Sequence, residues 1–203
     1  MKATVAAPIA ATAAAEKASS LSVLLDLIKV RLTSLVLLTT LVGFYIGERG
    51  RVDYLLLLHT ILGTALVASG ASALNQFLER DYDALMRRTR SRPLPSGRLQ
   101  PETVLLFGVV TASLGMIYLA LTVNLLTSAL SVLTLASYVL VYTPLKRITT
   151  LNTVVGAIPG ALPPLMGWTA ARGQVTIEGW SLFAILFFWQ LPHFLAIAWL
   201  YRE

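Results

Sequence analysis

Between Asn75 and Arg98 an otherwise oily chain gathers three carboxylates and six arginines. On a helix each residue turns about 100°, so Asn75, Glu79 and Asp83, spaced four apart, fan over only about 80° of one face, while Asp81 falls about 160° from the middle of that fan. The spacing predicts one oxygen-rich ligand face of Asn75, Glu79 and Asp83, with Asp81 left to pair with a nearby arginine. Oxygen ligands suit Mg²⁺, which takes one or two carboxylates and completes its shell with substrate phosphates and water. The arginines can grip phosphate oxygens in pairs. Read only as charge, the same residues are acids capping a helix end and arginines marking the cytoplasmic side of a membrane, and the pattern alone does not separate the two.

The elements that must position these groups are apolar. Of 203 residues 56% are hydrophobic and 13% charged, and the mean hydropathy is +0.73. That is too apolar for a soluble domain and predicts an all-α, polytopic transmembrane helical bundle. With no cysteine, a disulfide framework and a thiolate metal site are both excluded. The net charge of +6 sits in membrane-flanking loops, so it is no signal for a nucleic-acid partner. There is no Walker loop, nucleophile elbow or Cys/His metal spacing.

Residues 1–20 are Ala-rich and read as a disordered tail rather than a cleaved signal peptide. Residues 21–203 read as one transmembrane domain. Leu21 to Arg31 is amphipathic and is expected at the interface, leading into the first span. Six apolar segments come next, near 32–48, 54–76, 103–121, 124–143, 151–171 and 180–200, each close to the ~20 residues a bilayer needs. Small residues such as Gly63, Gly70 and Ala71 let helices approach, and Gly156 with Gly160 makes a GxxxG spacing. The fifth span carries Pro159, Pro163 and Pro164 and is expected to be irregular.

Pro93, Pro95 and Gly97 end the helix after the acidic cluster, and the long loop beyond, with Arg90, Arg92 and Arg98, reads as a cap over it. Lys146 and Arg147 lie in the next loop on the same side, where they could hold a leaving phosphate, although on sequence alone their marking of the inner side is the better account. His193, in Trp189-Gln190-Leu191-Pro192-His193-Phe194, is a histidine inside a membrane segment and so a functional candidate; a hydrogen-bonded core histidine is an equally good account. His59 is taken as structural, and Trp168, Trp180 and Trp199 as interface anchors. With the N-terminus inside, all but Arg49, Arg51 and Arg172 of the 16 Lys and Arg lie on the inner side. The positive-inside rule then puts the acidic cluster at the cytoplasmic surface, where a soluble pyrophosphate could leave.

These residues resemble the UbiA superfamily of intramembrane prenyltransferases, and within it the haem O synthase branch. The superfamily's Asn-x-x-x-Asp-x-x-x-Asp motif reads here as Asn75, Glu79 and Asp83, with Glu in a place where that branch tolerates it. The branch's continuation is matched by Asp83, Ala84, Met86, Arg88, Thr89, Arg92, Pro93 and Leu94. The loop from Tyr142 to Asn152, Gly156, the run Gly160 to Pro164, Gly167-Trp168 and Trp189 to Phe194 are also similar. Lys29-Val30-Arg31 resembles a Lys-Pro-Arg before the first helix, with Val30 in place of proline. The match runs from about Lys29 to Glu203.

The resemblance implies a UbiA-like fold with six spans present of an expected nine, and a second Asp-rich motif where this chain reaches Tyr201-Arg202-Glu203. It therefore implies an N-terminal portion of a longer enzyme, whose activity in this form is open. It implies transfer of a farnesyl group from farnesyl diphosphate to a vinyl group of haem b, giving haem O for terminal oxidases. Asn75, Glu79 and Asp83 would then hold Mg²⁺ and serve catalysis. Arg88, Arg92, Lys146 and Arg147, and more weakly Lys29 and Arg31, would contact diphosphate, and His193 would face the haem. The lipid bilayer of the cell inner (plasma) membrane is the implied setting, with haem A synthase or oxidase assembly proteins as implied partners. The alternatives are a UbiA-type enzyme acting on an aromatic acceptor such as 4-hydroxybenzoate, an ion or proton transporter, and a non-catalytic membrane fragment. Charges gathered at one membrane face count against a conduit.

Overall fold

The computed structural model describes residues 20–149 and 151–200, and all regular structure among them is helical. The expected tail, apart from Ser20, and the expected motif start at Tyr201 to Glu203 lie outside the described residues. In order, the elements are α1 (Ser20–Leu27), α2 (Val30–Gly47), α3 (Tyr54–Leu85), α4 (Pro101–Thr122), α5 (Leu125–Ala136), a π-helical turn (Ser137–Tyr142), α6 (Thr143–Leu145), α7 (Asn152–Arg172) and α8 (Ile177–Leu200). Among the described residues six stretches are long and apolar enough to cross a membrane, at the places the apolar segments predict. With 32 residues, α3 runs well past the expected end near 76 and carries the acidic face on the same unbroken helix as its apolar part.

Local chemistry sets the helix ends. Asp53 caps α3 by accepting from the amides of Leu55 and Leu56, both at 3.0 Å, and Asn124 caps α5 through the Thr127 amide at 2.8 Å. Pro101 opens α4 at a position where its missing N–H costs nothing. Gly173, at φ 68°, closes α7 in the left-handed conformation.

Contrary to the expectation of an irregular fifth span, α7 is helical from Asn152 to Arg172 with Pro159, Pro163 and Pro164 inside it. Its central position explains this. In α7 67% of the spanning window is buried, against 33% at most in the other five spans, so neighbouring helices hold the shape that three lost amide donors would otherwise loosen. The closest neighbour is α2. A Cβ on Gly43 would stand 2.0 Å from the Pro164 carbonyl oxygen, and one on Gly167 would stand 1.9 Å from that of Thr40. Likewise α3 meets α4 where a Cβ on Gly70 would lie 2.6 Å from the Gly108 oxygen. The Gly156/Gly160 spacing does not receive a partner backbone: Gly156 faces the Tyr142 ring and Gly160 the Gln190 amide.

Between α2, α3, α5, the π turn, α7 and α8 lies a mostly apolar cavity of about 490 Å³, inside the ~300–1,000 Å³ range of small-molecule pockets. Val67, Leu135, Pro163 and Met166 are among its walls, and Lys29, Tyr138 and Tyr142 line it as well.

Candidate active site

At the C-terminal end of α3 the helical period does what the spacing predicts. Asn75, Glu79 and Asp83 are 2%, 3% and 2% exposed, whereas the Asp81 side chain is 82% exposed and meets Arg80 at 3.5 Å. Each of the three inward oxygens faces a cation from a different segment. Lys29 Nζ donates to Asn75 Oδ1 at 2.7 Å. Lys146 Nζ forms an ion pair with Glu79 Oε1. Arg92 Nη1 donates to Asp83 Oδ2 at 2.6 Å. The Asn75 amide is fixed from its other end, donating to Thr143 Oγ1 at 3.1 Å.

Three pieces of backbone aim these cations. Between α1 and α2 the chain turns at Lys29, which at φ 48° is the one non-glycine residue with positive φ among those described. Such strain persists only where surroundings enforce it. Here Ser72 Oγ and Gln76 Nε2, both on α3, donate to the Leu27 carbonyl at 2.9 and 2.6 Å. The loop carrying Arg92 is pinned by buried Leu94, which packs with Leu27, Ala73 and Val104, and by Thr89 Oγ1, which donates to the Asp83 carbonyl at 2.9 Å. The cap expected over the cluster is therefore a folded loop. Lys146 and Thr143 come directly after the π turn, and Thr143 Oγ1 donates back five residues to the Tyr138 carbonyl at 2.8 Å. One π turn adds a residue to the helical circuit and re-aims the side chains downstream of it, a device common at functional sites.

Electrostatics in this corner are tense. Burial, with Arg92 and Lys146 adding repulsion, lowers the Lys29 pKa to about 8 although Glu79 and Asp83 pull it upward. Among the described residues no three His, Cys, Asp or Glu side chains gather as a metal site. The row offers two carboxylates and one amide oxygen. That all-oxygen set fits a hard divalent cation only if substrate oxygens and water complete the shell. Glu79 Oε1 is buried and faces the Lys146 ammonium, so a metal there would share that oxygen with Lys146.

Other expected site residues are not brought to the row. Arg147 turns to the neighbouring face of α3, where its guanidinium lies 3.5 Å from the Tyr82 ring centre and Nη2 donates to the Leu78 carbonyl at 3.2 Å. Arg88 is exposed. Arg98 ties the loop to α1, reaching Asp26 at 3.3 Å and the Ser91 carbonyl at 2.5 Å. His193 is exposed and stacks on Trp189 at 4.8 Å, outside the cavity. Arg31 lines a second cleft beside the row. Conversely, the sequence alone points to no role for Thr143, for Thr89 or for the stacked Tyr138 and Tyr142 rings. The Thr-Pro pair at 143 and 144 offers the one hint, since proline favours a break there.

Comparison with known proteins shows the family. The UbiA prenyltransferase family matches residues 36–203. The chain belongs to that family. The UbiA chain is 50% identical over 188 residues to the protoheme IX farnesyltransferase of Solibacter usitatus, covering 88% of this chain and 64% of that protein. Proteins of the same name from Sorangium cellulosum and Myxococcus xanthus are 54% and 51% identical, with 55% and 60% of their lengths covered. The UbiA chain thus spans less than two thirds of these relatives. Its fold is that of a solved structure of digeranylgeranylglyceryl phosphate synthase in membranes, with a TM-score of 0.75 at 19% identity over 84% of this chain and 60% of that one.

Proposed function

We propose that this protein transfers a farnesyl group from farnesyl diphosphate to a vinyl carbon of haem b, giving haem O, with Mg²⁺ as cofactor. The observation that carries the diphosphate chemistry is the buried row of Asn75, Glu79 and Asp83, each met by a cation, beside an apolar cavity that Lys29 also lines. The acceptor rests on the name of the similar relatives. The distribution of Lys and Arg supports an orientation with the N-terminus and this site at the cytoplasmic face of the inner membrane.

Asn75, Glu79 and Asp83 would hold the metal. A bound Mg²⁺ supplies neutralisation of charge on the departing diphosphate. Lys29, Lys146 and Arg92 stand against the same oxygens, so their donors can turn to phosphate oxygens as the allylic C–O bond breaks and its electron pair leaves with the diphosphate. The apolar cavity houses the isoprenoid and keeps water from the allylic cation. The vinyl π electrons close the new C–C bond, and water then captures the porphyrin-side cation, losing a proton to give the hydroxyl.

The test is incubation of the purified chain in lipid with farnesyl diphosphate, haem b and Mg²⁺, with products read by chromatography and mass spectrometry. Haem O that disappears with chelator and returns with Mg²⁺ supports the reading. Prenylation of 4-hydroxybenzoate in place of haem refutes the acceptor, and turnover indifferent to chelator refutes the metal.

A further inference from the structure

Adjoining the apolar cavity at Lys29 and Leu32 is a second, open-sided cleft of about 410 Å³, whose walls also include Asp26, Arg31, Ser91 and Arg92. Lys29 lines both spaces. The charge of the cleft is one-sided. Its one acid, Asp26, is met by Arg98 at 3.3 Å. Arg92 commits Nη1 to Asp83, leaving the rest of a five-donor guanidinium. Arg31 is exposed and makes no ion pair among the described residues. Arg31 also stands in the first turn of α2, where unpaired amides add positive potential. Apart from Ser91 the remaining walls are apolar: Leu25, Val30 and Leu32 are 39%, 44% and 59% exposed. The cleft therefore offers cations set in apolar surface, which suits an amphiphile with an anionic edge better than a bare phosphate.

We propose that this cleft binds the carboxylate edge of the acceptor, the two propionates of haem, through Arg31. This deepens the proposed haem chemistry and rests on it. The diphosphate already has its own cations along the α3 row, and Lys29 stands at the boundary the two spaces share. The acceptor is thereby held next to the cavity proposed to house the isoprenoid. Arg31 is a binding residue in this scheme, distinct from the row that handles the leaving group.

The experiment measures binding of haem b and of its dimethyl ester, in which both carboxylates are masked, to the chain in phosphatidylcholine nanodiscs. Wild type should prefer the free acid by about ten-fold, the worth of one charge-assisted hydrogen bond. Arg31→Gln should lose most of that preference and Arg31→Lys keep part of it, while binding of farnesyl diphosphate with Mg²⁺ stays within about three-fold. Retained farnesyl diphosphate binding also shows that the variants fold. Loss of farnesyl diphosphate binding in Arg31→Gln with the acid preference intact overturns the proposal and gives Arg31 to the diphosphate. So does a preference abolished by adding phosphatidylglycerol to the nanodiscs, which gives the cleft to a lipid headgroup. Equal wild-type affinity for acid and ester overturns this assignment alone. Binding of neither porphyrin, with farnesyl diphosphate still bound, overturns it together with the haem reading.

Discussion

Replacing Asp83 and Asp81 separately by Asn compares two carboxylates two residues apart on one helix. Asp83 is 2% exposed and holds Arg92 at 2.6 Å. Removing one partner of a buried pair costs roughly 3–5 kcal/mol when the other is stranded. Arg92 is not stranded, because its side chain is 29% exposed and the Asn oxygen still accepts, so the cost falls to about 1–2 kcal/mol. Asp81 is 82% exposed and stands 3.5 Å from an exposed arginine, so its replacement should stay within about 0.5 kcal/mol. Thermal unfolding in nanodiscs, monitored by tryptophan fluorescence, should separate the two variants. Haem O formation should separate them further: Asp83→Asn also loses a ligand charge, for an expected drop of about a hundred-fold or more, while Asp81→Asn stays near wild type. Equal losses in both assays would show that the two side chains share an environment, and the one-face reading of α3 would fail.

Three further outcomes are set by the geometry. Gly43→Ala places a methyl 2.0 Å from the Pro164 carbonyl oxygen; it should cost about 3 kcal/mol because two backbones must separate, and an unchanged melting temperature would refute the tight α2–α7 crossing. Thr143→Val removes the hydroxyl that accepts from Asn75 and donates to the Tyr138 carbonyl. It should cost about 1–2 kcal/mol and reduce turnover, with Thr143→Ser restoring most of both; a valine variant with full activity would show that Asn75 needs no brace. Lys146→Ala should impair farnesyl diphosphate binding far more than Arg147→Ala, since the second cation lies over Tyr82; the reverse order in a titration would mean the loop is aimed otherwise.

The acidic face is legible in the sequence because helical phase turns a four-residue spacing into a direction, and that phase needs no tertiary information. The six spans are legible for a similar reason, since apolar length is a property of the segment. Legibility fails where neighbours decide. Lys146 and Arg147 carry the same charge at adjacent positions, and only the path of the backbone after the π turn selects which reaches Glu79. Three prolines would break an isolated helix, yet the burial of α7 among its neighbours holds it regular. The cost of a histidine in lipid singles out His193, but that cost says nothing about which way the ring turns, and the structure stacks it on Trp189 away from the cavity.

The turn at Ser137–Tyr142 makes the chain sensitive to counting. A π circuit is an α circuit holding one extra residue, so if the same residues wound at ordinary pitch everything downstream would rotate by about 100°. Thr143 and Lys146 would swing away from Asn75 and Glu79 together, although every apolar contact type and every charge would be conserved. Loss of a single residue there would keep their present direction, because it removes the one the wide circuit holds in excess.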